Sequence, residues 1–327
     1  MTKVQELADK IISGDRRALS RAITLVESSR EDHRQEALEL TALLTGSGRH
    51  ATRVGLSGTP GVGKSTFIDS FGTYLTEQDQ RVAVLAVDPS SMRTGGSILG
   101  DKTRMDRLSR DPNAFIRPSP SKSYLGGVAR YTRDAVTICE AAGFDVVLIE
   151  TVGVGQSETI AAQISDLFIL LLAPAGGDEL QGVKRGIMEL ADLILVNKAD
   201  GDLRHAAMRT CADFAGALRL LRHRPQDSDG FPRVMPVSAV EKSGLSATWK
   251  AMNELLSWRK EEGHFENNRV TQARFWFEED VRQGLLDRLN HKDMRKIMST
   301  FAGEVEEGKL LPSQAAREVI SRIQDWK

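Results

Sequence analysis

Cysteine is nearly missing from this 327-residue chain: Cys139 and Cys211 stand far apart, and neither belongs to a Cys-x-x-Cys pair. That excludes a disulfide framework and a cysteine zinc site, and leaves two buried thiols in a reducing compartment. An excess of charge is missing too. Lys and Arg number 44 against 45 Asp and Glu, a net charge of −1, so neither nucleic acid nor an anionic membrane is expected as a partner. The longest strongly apolar run, Leu167 to Ala173, is far too short to cross a bilayer. The opening residues Met1-Thr2-Lys3-Val4-Gln5-Glu6 contain no apolar signal core, so a cytoplasmic location is the expectation. No internal repeat, low-complexity stretch or long Pro/Ser linker interrupts the chain. Its 40% hydrophobic content suffices for a sizeable core.

Hydrophobic spacing divides the chain into three stretches. Residues 1–50 read as a helical segment, with Val4, Leu7, Ala8, Ile11 and Ile12 at helical spacing and Gly14 ending the first helix. Asp15 can cap a second helix carrying Leu19, Ala22, Ile23 and Val26; a third, after Asp32, carries Ala37, Leu38, Leu40 and Leu44. These apolar faces need either the main domain or a second subunit to pack on. Residues 51–242 alternate strands and helices. The strands are expected at 53–58, 81–87, 144–149, 166–172, 192–197 and 233–237, with a weaker one at 114–117. Continuous runs such as Val82-Ala83-Val84-Leu85-Ala86-Val87 suit strands covered on both faces. The expected fold is α/β, a doubly wound and mainly parallel sheet with ligand loops at the carboxyl ends of its strands. Residues 243–327 read as a helical arm with stripes at Trp249, Met252, Leu255 and Leu256 and at Phe275, Phe277, Val281, Leu285 and Leu289. A last helix after Pro312 carries Ala316, Val319, Ile320 and Ile323. A helical arm reaching past its own domain exposes such stripes, which points to a homodimer.

The chemistry centres on Gly58-Thr59-Pro60-Gly61-Val62-Gly63-Lys64-Ser65-Thr66, which follows an apolar run and opens a helix. This is the P-loop pattern. Its glycines let backbone N–H groups close around phosphate oxygens, Lys64 reaches the β- and γ-phosphates, and Ser65 offers its hydroxyl to Mg²⁺. Asn197-Lys198-Ala199-Asp200 ends a later apolar run. Asp200 can accept from the ring N–H and exocyclic amine of guanine, whereas adenine presents the wrong pattern. Asn197 would brace the loops and the Lys198 stem would lie over the base; Ser238-Ala239 follow another strand. The expected nucleotide is GTP, with GDP as product.

On the Mg²⁺ side, Glu150 stands where most GTPases place Asp, and Gly153 can approach the γ-phosphate through its N–H. Asp88 ends another buried strand, and Asp101 follows the glycine-rich loop Gly95-Gly96-Ser97-Ile98-Leu99-Gly100. Asp88, Asp101 and Glu150 could bind Mg²⁺ directly or through its waters. Taken alone, Asp101 reads equally well as a solvated loop acid. Gln156 is a candidate to orient the attacking water, although it does not directly follow Gly153 as the corresponding Gln does in Ras-type enzymes. The loop 176–185, with Lys184 and Arg185, reads either as a partner-sensitive switch or as an ordinary solvated loop.

The P-loop string, Asp88-Pro89-Ser90-Ser91, Gly95 to Met105 and Glu150-Thr151-Val152-Gly153-Val154-Gly155-Gln156-Ser157-Glu158 together resemble the MeaB/ArgK family of GTPases associated with methylmalonyl-CoA mutase. The resemblance extends over nearly the whole chain. It implies a homodimeric GTPase chaperone for an adenosylcobalamin-dependent mutase, gating cofactor loading and protecting the mutase from inactivation. It also implies that Asp101 belongs to the Mg²⁺ site and that the loop 176–185 is a switch answering to the mutase. The residues leave other classes open: a maturation GTPase for a nickel enzyme, a small-molecule P-loop kinase, or a scaffold that only binds nucleotide. The nickel reading wants Cys/His ligands that the dispersed histidines and cysteines do not supply, and Asn197-Lys198-Ala199-Asp200 opposes the kinase. An older family name suggests arginine-transport kinase activity, which no residue here supports. No Asp-x-His-x-x-Gly cobalamin-binding string is present, so any cobalamin is expected on the partner.

Overall fold

The structure, a computed structural model, describes residues 2–28, 30–87, 105–117, 125–151, 157–174, 185–221 and 224–324. The chain forms two compact units, Met1–Val270 and Thr271–Lys327. In the first, seven parallel strands lie in the order β3-β2-β4-β1-β5-β6-β7. They are β1 (Thr52–Ser57), β2 (Val82–Val87), β3 (Ala114–Arg117), β4 (Val146–Thr151), β5 (Leu167–Leu172), β6 (Leu193–Val196) and β7 (Arg233–Pro236). β1 is central, with β4 on one side and β5 on the other. This is where the winding reverses, and where the loops at the carboxyl ends part to leave a crevice. The α/β reading therefore holds, strand for strand.

One strand is displaced from its expected position. The run anticipated at 144–149 forms β4 two residues later, because Leu56 and Ala86 both pair with Glu150, and Val87 with Thr151. Asp145 belongs instead to the turn, where its carboxylate accepts from Arg81 N at 2.8 Å. Glu150 is thus held in the ladder rather than in the loop beyond it.

Alternate strand residues (Val54 and Leu56, Val82 and Val84, Val146 and Leu148, Ile169 and Leu171) meet two helices, α4 (Lys64–Thr76) and the helix Leu245–Glu261. Phe67, Phe71 and Leu75 of α4 and Met252 and Leu255 of the second helix are fully buried there, each contributing about 1.5–3 kcal/mol of apolar transfer. Phe67 stacks on Phe71, which meets Trp249 edge-on.

The amino-terminal helices α1 (Lys3–Ile12), α2 (Arg16–Val26) and α3 (Glu31–Thr45) pack on one another and on the helix Leu125–Ala141 of the same unit. Thr2 and Asp15 cap the first two, Asp15 accepting from Arg17 N at 2.7 Å and Ala18 N at 2.9 Å. Two expected core residues fall outside this packing. Ile12 is only half-buried and Leu38 is 59% exposed, because each lies at the rim of its helix's apolar face. In the second unit the helices Lys292–Glu306 and Pro312–Gln324 pack together, with Met294 and Ala315 buried. Phe277, Val281 and Leu285 are exposed, and Phe275 is half-buried.

At the amino ends of the strands lies a buried ionic layer. Arg259 donates to Asp192 Oδ1 at 2.6 Å, to Asp227 Oδ1 at 3.0 Å and to Asp166 O at 2.8 Å. Arg269 bridges both oxygens of Asp166 at 2.6 and 2.7 Å, and Arg53 forks onto Glu140 at 2.9 and 2.7 Å. Burial would raise the Glu140 carboxyl, but the Arg53 fork, its charge and that of Arg269 hold it below its ordinary 4.5. The pair's contribution is therefore fully present above pH 4.5 and is lost as the pH falls through the lower folded value. Arg259→Ala would strand buried carboxylates at Asp192 and Asp227 and is expected to cost about 3–5 kcal/mol in urea unfolding. A change under about 1 kcal/mol would mean that Arg224, the other partner of both acids, suffices alone.

Candidate functional site

β1 runs into the loop 58–63, and α4 starts at Lys64 behind Gly63. Gly58, Gly61 and Gly63 all have positive φ (152°, 88° and 88°). At Gly63 a Cβ would lie 2.8 Å from Asn197 Nδ2, so this position needs glycine both for its backbone angle and for the approach of a neighbouring loop. The loop's backbone N–H groups and the amino end of α4 together form an anion cradle. Lys64 Nζ donates to Gly58 O at 2.6 Å and Thr59 O at 3.2 Å. Burial pulls the Lys64 amine below its ordinary value, while the carboxylates of Glu150 and Glu158 push it back up.

Ser65 Oγ donates to Glu150 Oε1 at 3.2 Å, so the first turn of α4 and the end of β4 bring a hydroxyl and a carboxylate together. Both are hard oxygen donors, and a phosphate cradle beside them suits Mg²⁺. Asp88, Asp101, Gly153, Gln156 and Lys184 lie outside the described residues. Among the described residues, no group of three His, Cys, Asp or Glu side chains gathers in metal-binding fashion.

The base-side residues come together across three loops. Asn197 Nδ2 donates to Val62 O at 2.9 Å, and its Oδ1 accepts from Ala239 N at 3.2 Å. Lys198 takes the left-handed conformation (φ 58°), and its amine donates to Gly61 O at 2.7 Å. Ser238 Oγ donates to Asp200 Oδ2 and accepts from Glu241 N at 3.0 Å. Asp200 is thereby aimed from one oxygen, leaving lone pairs on the other for a donor edge. The parallel ladder explains the convergence, since strands of one direction deliver all these loops to one end of the sheet.

Three polar residues near this site escaped the motif reading. Glu158, in the first turn of the helix Ser157–Ile164, is 1% exposed. Asp69 and Ser70 of α4 are buried as well. Asp69 is recognisable in principle, since it stands four residues after Ser65 and shares its helix face; Ser70 and Glu158 carry no such signal. Both cysteines are free and buried, and burial pushes the Cys211 thiol up to about 11 and Cys139 higher still, so both are inert.

Gly63→Ala tests the cradle. The left-handed backbone alone costs about 1–2 kcal/mol for alanine, before any contact with Asn197. Fluorescent GDP titration is expected to show affinity at least about ten-fold weaker. Unchanged affinity would mean that Asn197 is not needed in its position.

A family model described as methylmalonyl-CoA mutase-associated GTPase MeaB matches residues 19–294. A probable GTPase of Mycobacterium tuberculosis is 48% identical over 318 residues, covering 97% of this chain and 94% of that protein. A mouse protein named as a mitochondrial methylmalonic aciduria type A homologue is 46% identical over 324 residues, covering 96% of this chain and 78% of its own length. Among solved structures, the LAO/AO transport system kinase matches with a TM-score of 0.76 at 34% identity over 99% of both chains. With its phosphate loop, Ser65–Glu150 pair and three-loop clamp in place, this chain belongs to the MeaB family of methylmalonyl-CoA mutase-associated GTPases.

Proposed function

We propose that this protein is a GTP-hydrolysing chaperone that binds an adenosylcobalamin-dependent mutase, methylmalonyl-CoA mutase in the first instance. In this role it gates the loading of the mutase's cofactor and protects the enzyme from inactivation. The observation that carries the nucleotide part is the convergence at one crevice of the P-loop, the Ser65–Glu150 pair and the clamp made by Asn197, Lys198, Asp200 and Ser238. The mutase part is supported by the family description and by the name of the mouse relative.

In this reading Ser65, Glu150, Asp88 and Asp101 would hold Mg²⁺, directly or through water. When bound, the ion would supply positive charge to the phosphate oxygens. Lys64 turns its amine to the same oxygens, and its burial strengthens that attraction. Gly153 approaches the γ-phosphate, Gln156 orients the water, and Lys184 in the loop 176–185 adds positive charge when the mutase engages. Basal turnover is slow because that charge is not in place without the partner. Glu150→Ala is expected to lower GTP turnover at least about ten-fold with smaller effect on GDP binding; equal turnover would remove Glu150 from the site.

Guanine choice rests on Asp200. Calorimetry is expected to give GTP and GDP far tighter binding than ATP and ADP, and Asp200→Asn to narrow the gap by about 10²-fold or more. Equal affinities in the unaltered protein would sink the assignment. Protein loaded with a non-hydrolysable GTP analogue should retain purified methylmalonyl-CoA mutase on an affinity matrix, and absence of retention would refute the partner. Phosphate transfer to arginine in place of water would support the kinase reading instead.

The assembly is read as a homodimer through the second unit, whose Phe277, Val281 and Leu285 present an exposed apolar stripe at helical spacing. No helix among the described residues is long and apolar enough to cross a membrane. A cytoplasmic protein without nucleic-acid or membrane partners is the reading that fits the balanced charge.

A further inference from the structure

Behind the phosphate site, a chain of hydrogen bonds joins α4 to two other segments. The single turn Asp106–Ser109, α5, is seated on α4 by one apolar contact and three hydrogen bonds. Leu108 is fully buried where α4 has Gly72, a position at which a Cβ would come within 2.5 Å of Leu108 Cδ2. Asp69 accepts from Leu108 N at 2.9 Å and from Arg107 Nε at 2.9 Å. The other arm of the Arg107 guanidinium, Nη2, donates to Ser70 Oγ at 2.8 Å. Ser70 is fully buried and donates in turn to Ala239 O at 2.7 Å. Ala239 also gives its N–H to Asn197 Oδ1, the side chain that reaches the P-loop at Val62.

The direction of this chain follows from its chemistry. A hydroxyl has one proton and can turn it either way, but a guanidinium can only donate. With Arg107 on one of the oxygen's two lone pairs and unable to accept, the Ser70 proton goes to Ala239 O. A charged donor at the head also polarises the next bond and strengthens it. Arg107 itself is half-exposed and touches neither the P-loop nor Asn197, Asp200 or Ser238.

We propose that Arg107 is a positioning residue for guanine retention, acting through Ser70 to fix Ala239 and with it the Ser238–Ala239 edge of the base clamp. α5 is thereby tied to the loop that faces the base, so a change at Arg107 alters how long the nucleotide stays. The proposal rests on the guanine-nucleotide reading above and adds to it a second route, besides Asn197, by which the clamp is held.

Stopped-flow release of N-methylanthraniloyl-GDP from the full chain, chased with excess GDP, tests it. Arg107→Ala and Ser70→Ala are each expected to speed release about ten-fold. The double variant should be no faster than the faster single one, because both remove the same chain. Arg107→Lys, whose single ammonium serves Asp69 or Ser70 but cannot fork to both, should fall between. The unfolding midpoint of Arg107→Ala should stay near that of the unaltered protein, since Leu108 N and Leu108 packing still hold α5. Release from Arg107→Ala at the unaltered rate, multiplicative effects in the double variant, or acceleration that merely tracks a lowered midpoint would each overturn the inference. Failure of the unaltered protein to retain the fluorescent GDP would overturn the guanine reading itself.

Discussion

The carboxamide of Asn197 works from both of its ends: Nδ2 donates to the P-loop at Val62 O, and Oδ1 accepts from the base-side loop at Ala239 N. It stands directly after β6, whose four residues are all buried and whose neighbours β5 and β7 fix its register. The position of one amide is therefore set by the sheet, and the amide ties two loops to each other. Lys198 and Asp200 follow at the same strand mouth, one reaching Gly61 and the other meeting Ser238. A site assembled in this way is as rigid as the sheet beneath it, although almost every residue that lines it is in a loop.

The opposite end of the sheet is held by a different force. Asp166 and Asp192 immediately precede β5 and β6, and Arg259 and Arg269 reach them from helices late in the first unit. Buried pairs of this kind add little net energy over apolar packing, but they are unforgiving of substitution because each loss leaves a desolvated charge. Their forked geometry also permits one register of helix against strand. Recognition at the carboxyl ends and registration at the amino ends thus occupy separate layers of one sheet, with the apolar core between them.

The fold was legible because several of its buried parallel strands, such as β2, β5 and β6, write themselves as nearly unbroken apolar runs, and the shorter signals at β1, β3 and β7 alternate with helices in the same way. β4 slipped by two residues because Phe144 extends the apolar run while Asp145 turns the chain; only pairing with β1 and β2 settles which residues enter the ladder. The site was legible wherever the chemistry demands residue types at fixed spacing, as in 58–66 and 197–200. Glu158 and Ser70 were not, and Asp69 only in principle, since a carboxylate or hydroxyl on a helix looks the same in sequence whether it faces solvent or another segment of the fold. The burial of Leu38 and Ile12 was misjudged for a related reason: helical spacing gives the direction of a face but not the width its neighbours cover.

The placement of β1 has a consequence for how the chain is made. It is made before the other six strands of this sheet, yet Thr52 pairs with Val146 and Val54 with Leu167. An emerging chain therefore carries the P-loop and its apolar strand for a long interval before either ladder partner exists, and non-local parallel pairings of this sort close slowly. The clamp waits longer still, because Ala239 must arrive before Asn197 has anything to accept from. The nascent protein can offer no complete guanine site until its sheet is finished.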